Sequence, residues 1–201
     1  MIAIIDYGAG NLNSIQKALE FIGQETVILE SAQNQEIEKY SGLVLPGVGA
    51  FPGAAEKLKK NGFIEFIDKF VESGKPFLGI CLGMQLLFEW GYEELKTQGL
   101  GLLKGDIVKM ETDYKIPHMG WNELEIIKDD PLFKGLPDRA HFYFVHSYQL
   151  KDVSDDVLAV VDYGTKIPAV VRKKNVIGLQ FHPEKSGDNG IKLLENFGEL
   201  L

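Results

Sequence analysis

The chain has 201 residues, 45% of them apolar and 25% charged, with 29 acidic against 21 basic residues for a formal net charge of −8. That length suits one domain with a sizeable core, and the acidic balance speaks against nucleic acid or an anionic membrane as a general partner. The single cysteine excludes an internal disulfide and a cysteine-based metal cluster. No stretch approaches the roughly 20 apolar residues that span a bilayer. The opening MIAII has no basic residue ahead of an apolar run too short for a signal-peptide core, so a cytoplasmic protein is expected.

In chain order, IAII (2–5) is a short apolar run ending at Asp6 and a glycine turn, which predicts a buried strand. Leu12, Ile15, Leu19 and Ile22 then recur at helical spacing, with Gly23 as the stop. TVIL (26–29) and GLVL (42–45) predict two more strands, the second ended by Pro46. Phe63, Phe66, Ile67, Phe70 and Val71 form one apolar helical face, closed by Gly74 and Pro76. PFLGI (76–80) predicts a fourth strand, and 82–90 a helix buried on most sides. Strands alternating with helices predict a doubly wound α/β fold with a mostly parallel central sheet. The second half adds strands at 106–110, 122–127, 141–145, 157–161, 168–171 and 176–181, and a closing helix over 187–201. No repeat or linker interrupts the chain, so 1–201 reads as a single domain.

The cysteine sits in GICLGMQ, as Gly79-Ile80-Cys81-Leu82-Gly83 between a predicted strand and a predicted helix. G-x-C-x-G in that setting is the thiol counterpart of the nucleophile elbow. A strand turning at once into a helix crowds its backbone, so small residues must flank the nucleophile. The helix N-terminus favours thiolate and aims the Leu82 N–H where an oxyanion would form. Taken alone, Cys81 reads equally well as a small buried hydrophobe.

A thiol nucleophile needs a base. Of the four histidines, His182 stands out, in QFHPE just after a predicted strand. Pro183 biases it toward extended backbone, where residues i and i+2 share a side. Glu184 would then orient one ring nitrogen and leave the other for the thiol. Both signals fall at C-terminal strand ends, where open α/β sheets build their sites. A second oxyanion donor is available from Gly47, Val48 and Gly49 in PGVG, whose glycines let a peptide plane approach a substrate. There is no C-x-x-C or H-E-x-x-H, and His141 and His146 fall on opposite faces of one strand, so no metal site is expected.

These residues resemble the class I (triad-type) glutamine amidotransferases over nearly the whole chain. CLGMQ (81–85) and FHPE (181–184) are shared widely in that family. DYGAGN (6–11), PGVGAF (46–51) and PHMGWN (117–122) point to its histidine-biosynthesis branch, although another ammonia-channelling synthase stays open. The resemblance implies Cys81 as nucleophile on L-glutamine, His182 as proton shuttle and Glu184 as its orienter. It implies oxyanion donors at Leu82 and within Gly47, Val48 and Gly49, and no cofactor. Gly49, Gln85, His146, Ser147 and Tyr148 would hold the substrate. The implied partner is a (β/α)8-barrel cyclase forming a heterodimer, met by Asn11, Met119, Trp121 and Lys185, which uses the ammonia to make imidazole glycerol phosphate and an aminoimidazole carboxamide ribotide.

Three other readings compete. Gly8-Ala9-Gly10 follows the first strand as a dinucleotide-binding turn would, but the third glycine is replaced by Asn13. A peptidase or thiol sensor would need an open cleft, or a cysteine without His182 and Glu184. A non-catalytic interaction protein would have no need of the intact set.

Overall fold

The computed structural model describes residues 1–8 and 11–201; Ala9 and Gly10, which belong to DYGAGN and to the rival glycine turn, lie outside the described residues. The elements are β1 (Ile2–Ile5), α1 (Leu12–Phe21), β2 (Thr26–Leu29), β3 (Gly42–Gly47), α2 (Phe51–Lys60), α3 (Phe63–Glu72), β4 (Phe77–Cys81), α4 (Leu82–Leu86) and β5 (Phe88–Gly91). There follow β6 (Thr97–Gln98), β7 (Leu103–Lys109), β8 (His118–Ile126), β9 (His141–His146), β10 (Tyr148–Leu150), β11 (Val157–Asp162), β12 (Lys166–Lys173), β13 (Val176–Leu179) and α5 (Gly187–Gly198). A 3₁₀ turn at Pro183–Lys185 joins β13 to α5.

A nine-stranded sheet runs in the order β2-β1-β3-β4-β13-β12-β11-β8-β9. Its β2-to-β13 half is parallel. The remainder, from β13 to β9, is antiparallel. The parallel strands read as unbroken apolar runs because both faces are covered: Ile15, Leu193, Leu194 and Phe197 pack on one side, and Phe51, Leu58, Phe63, Phe66 and Phe70 on the other. Helices on both faces of a parallel core make the architecture the expected α/β one. Within it β3, β4 and β13 are neighbours, with Gly47 opposite Cys81 and Ile80 opposite Leu179. The C-terminal ends of three parallel strands therefore meet at one rim.

The structure departs from these expectations at several points, four of which matter most. β3 continues through Pro46 to Gly47. The helix α2 was not foreseen, although Phe51, Ala54 and Leu58 form its buried stripe, a proline opens it, and Lys57, Lys59 and Lys60 suit its C-terminal dipole. The helix expected over 82–90 stops at Leu86, because 88–91 joins a second, four-stranded sheet ordered β10-β7-β5-β6. A short apolar run without a clear period serves either state, and here pairing with β7 decides it. Finally, the closing helix ends at Gly198, short of the chain's last residue. Among the described residues no helix is long and apolar enough to cross a membrane.

Candidate active site

Cys81 ends β4, and α4 begins at the next residue. The turn forces Cys81 to φ 54°, ψ −110°, a left-handed value that a side-chain-bearing residue adopts only under tertiary constraint. The flanking glycines are sterically required. A Cβ at Gly83 would lie 1.8 Å from the Leu45 carbonyl oxygen, and one at Gly79 would lie 2.7 Å from the Gly83 oxygen. The elbow expected from G-x-C-x-G is thus present, with the sulfur 3.8 Å from the Val145 carbonyl. Leu82 is the first residue of α4, so its N–H is among those that lack an intrahelical acceptor.

His182 follows the end of β13 with extended backbone (φ −100°, ψ 97°). Its own N–H donates to the Tyr143 carbonyl (2.9 Å), and its carbonyl accepts from the Ser186 hydroxyl (2.6 Å). Its Nδ1 lies 2.9 Å from Glu184 Oε1. The contact is the expected one, reached by a different route. Pro183–Lys185 is a 3₁₀ turn, so Glu184 folds back to the imidazole instead of alternating beside it. The side chains of His182 and Glu184 are each only 2% exposed. Burial opposes a charge on the ring. The Cys81 sulfur and the Glu184 carboxylate outweigh burial and push the imidazole up to about 9, so it holds both protons at neutral pH. His182 Nε2 is buried without a hydrogen-bonding partner, a state expected of an atom that awaits a reacting group.

Cys81 and His182 line one cavity of about 350 Å³ with Val48, Gly49, Leu82 and Gln85. His146, Ser147 and Tyr148 also border it. Every residue expected to hold substrate therefore faces one space, and Gly49 has φ 104° with open room around it. The two amide hydrogens of Gln85 go to the Tyr148 carbonyl (2.9 Å) and to Gln180 Oε1 (3.2 Å). Both amide hydrogens are thereby engaged, which leaves the carbonyl oxygen as the polar atom Gln85 has to offer.

Comparison with known proteins covers the whole chain. A family model for class-I glutamine amidotransferases matches residues 3–200. The chain belongs to the class-I glutamine amidotransferases. It is 52% identical to the imidazole glycerol phosphate synthase subunit HisH of Caldanaerobacter subterraneus subsp. tengcongensis, covering 100% of this chain and 98% of that one. It is 55% identical to the subunit of the same name from Lactococcus lactis subsp. lactis, covering 98% of each. Among solved structures it resembles PurLQS from Thermotoga maritima, with TM-score 0.77, 22% identity and coverage of 98% and 97%. That last likeness is one of fold.

As an amidotransferase, the chain has features near the cysteine that its sequence did not disclose. Glu93 reaches the cavity, and its Oε2 accepts the Phe51 N–H at 2.7 Å, tying the start of α2 to the pocket. In the sequence it sits in a charged run, YEEL, that reads as solvated loop. Gln180 is fully buried, with its amide nitrogen 4.0 Å from the Cys81 sulfur; its place directly before FHPE is the available signal. Asn11, read as a partner contact, donates from its amide to Glu184 Oε1 at 2.5 Å. Of the other three, Met119 and Trp121 are 60% and 56% exposed, and Lys185 is exposed in the turn that carries Glu184. Trp121 stands edge-on to Tyr143, within the same region.

Proposed function

We propose that this amidotransferase is the glutaminase subunit of an imidazole glycerol phosphate synthase, and that the whole chain is one amidotransferase domain. The meeting of Cys81 and His182 in one cavity, with Glu184 bonded to the imidazole, carries the reading of the chemistry, and the full-length relatives support the pathway. The Cys81 thiolate attacks the carboxamide carbon of L-glutamine. Charge developing on the carbonyl oxygen meets backbone N–H groups at Leu82 and within Gly47, Val48 and Gly49. His182, already protonated, donates its Nε2 proton to the departing nitrogen, so ammonia leaves and a γ-glutamyl thioester remains. Water then adds to the thioester as His182 takes its proton, and Cys81 departs as thiolate with release of glutamate. Glu184 keeps Nδ1 protonated and the ring in place throughout.

Recognition of the substrate follows from the lining. The Gln85 carbonyl oxygen can accept a hydrogen bond. Glu93 is the carboxylate among the lining residues, and it suits the ammonium group of a free amino acid. Segment 146–148 also borders the cavity.

Ammonia in water at neutral pH is mostly ammonium and is no nucleophile, so the product must pass directly to an acceptor site. The acceptor is a (β/α)8-barrel cyclase in a heterodimer with this chain. Met119 and Trp121 suit the core of such an interface, and the nearness of Lys185 and Asn11 to Glu184 supports an interface beside the triad. The test is glutamate release by the purified chain, alone and with the cyclase and its nucleotide substrate. We expect turnover to rise sharply when both are added. Glutamine turnover that ignores the cyclase, or is absent in its presence, would reject the assignment.

A further inference from the structure

Beside the cavity, with one member on its wall, lies a pair of buried histidines whose protons the chemistry above does not use. His118 opens β8 and His146 closes β9, and the antiparallel register sets them directly opposite one another. Their exposures are 2% and 6%. His118 Nδ1 lies 3.1 Å from His146 Nε2. The His118 ring is stacked between Phe144 (4.8 Å between centroids) and Tyr163 (4.1 Å), which fixes its plane.

The partners at the two ends of this pair dictate where every proton sits. At one end, His146 Nδ1 lies 2.9 Å from the Tyr148 carbonyl oxygen. A carbonyl only accepts, so Nδ1 must carry hydrogen and Nε2 must then be the acceptor. At the other end, Asn122 Oδ1 accepts the Glu123 N–H (2.8 Å). Its amide nitrogen therefore donates, to the Asp162 carbonyl (2.9 Å) and to His118 Nε2 (3.3 Å). His118 Nε2 is thus an acceptor, and its Nδ1–H points at His146. Both ends demand the same direction: Asn122 to His118, His118 to His146, His146 to the Tyr148 carbonyl. A further proton on either ring would set N–H against N–H. Burial, the largest cause in each case, holds the two rings well below their ordinary value, at about 4 for His118 and about 3 for His146. Nearby charge on His182 disfavours a charge on His146 as well.

The chain of donors ends on an atom that matters to the pocket. The Tyr148 carbonyl that receives the His146 hydrogen also receives the amide hydrogen of Gln85 at 2.9 Å. Gln85 in turn bonds Gln180, whose amide nitrogen lies beside the Cys81 sulfur. We propose that His118 and His146 are positioning residues: a neutral relay, each ring in one tautomer, that fixes the Tyr148 carbonyl and through it the Gln85 amide that faces glutamine. The inference rests on the reading of this cavity as the glutamine pocket. The relay controls how well glutamine is held, and the bond-making groups stand apart from it.

Two variants separate hydrogen bonding from packing, measured as the complex with the cyclase. His118→Phe keeps an aromatic ring between Phe144 and Tyr163 but donates nothing to His146. His118→Asn gives up the ring and keeps an N–H where Nδ1 stood. The relay predicts that His118→Phe raises KM for glutamine roughly 5- to 10-fold, as loss of one buried hydrogen bond would, with kcat little changed, and that His118→Asn restores KM to near its original value. A wild-type KM in His118→Phe, or a worse KM in His118→Asn than in His118→Phe, would overturn it. The tautomers provide a readout that needs no turnover. Nitrogen-15 spectra of the histidine-labelled full chain at neutral pH should show both rings neutral and protonated on Nδ1. A charged ring or an Nε2-protonated tautomer at either position overturns the relay, even if His118→Phe does not fold. Should the unaltered complex fail to hydrolyse glutamine, the functional reading fails on its own, and the spectra still decide the relay.

Discussion

His182 and His146 border the same cavity and are buried to a similar degree, yet their protons behave in opposite ways. His182 meets a carboxylate at Nδ1 and shares its cavity with the Cys81 sulfur, and despite burial it is pushed up to about 9. His146 meets a backbone carbonyl and another imidazole, and is pushed down to about 3. Burial alone lowers both, so the sign is set by whether a negative partner is present to outweigh it. The contrast separates a ring equipped to carry a proton from one equipped to hold a position. One class of side chain thereby supplies both the chemistry and part of the scaffold within a few strand ends.

Substitution should expose that division most strongly in turnover. His182→Ala removes the proton carrier, and kcat for glutamine should fall on the order of 10²- to 10⁴-fold. His118→Phe should leave kcat nearly untouched while KM rises. Equal losses of kcat in the two variants would erase the contrast. A smaller effect follows from Glu184→Gln, which deletes the charge that favours imidazolium. The alkaline limb of the pH–rate profile, expected near 9 in the unaltered protein, should move toward the ordinary histidine value, and an unmoved limb would show that Glu184 does not set it.

The smallest effect is on stability, and it has two signs. His182 binds its proton more tightly folded than unfolded, so its contribution is fully present below about 6.5 and is lost as pH rises through about 9. His118 and His146 bind theirs less tightly folded. Their contribution is present above about 6.5 and is lost as pH falls toward about 4 and about 3. Thermal unfolding followed against pH should show a decline on both sides. His118→Phe should flatten the acid side only.

Much of this architecture is legible in the residues because the informative signals are local. Four-residue apolar runs such as IAII mark strands covered on both faces, and G-x-C-x-G marks a turn that tolerates no Cβ on either side of its apex. His182 and Glu184 lie two residues apart, so their meeting could be expected, although a 3₁₀ turn and not alternation brings it about. What escaped depends on contacts between distant segments. Residues 88–91 became a strand because β7 pairs with them. The engagement of Asn11 with Glu184 spans 173 positions. His118 and His146 are 28 apart, and nothing in PHMGWN or FVHSY announces that they face each other until β8 and β9 are registered.

The role of Cys81 as a nucleophile shaped to receive glutamine underlies all of these expectations. It is tested most directly by incubating the chain, bound to its cyclase, with a glutamine-like electrophile and measuring the intact mass and the modified peptide. One adduct per chain is expected, located on Cys81, suppressed by excess glutamine and absent in Cys81→Ala. An unmodified Cys81, or labelling that glutamine does not compete away, would contradict it.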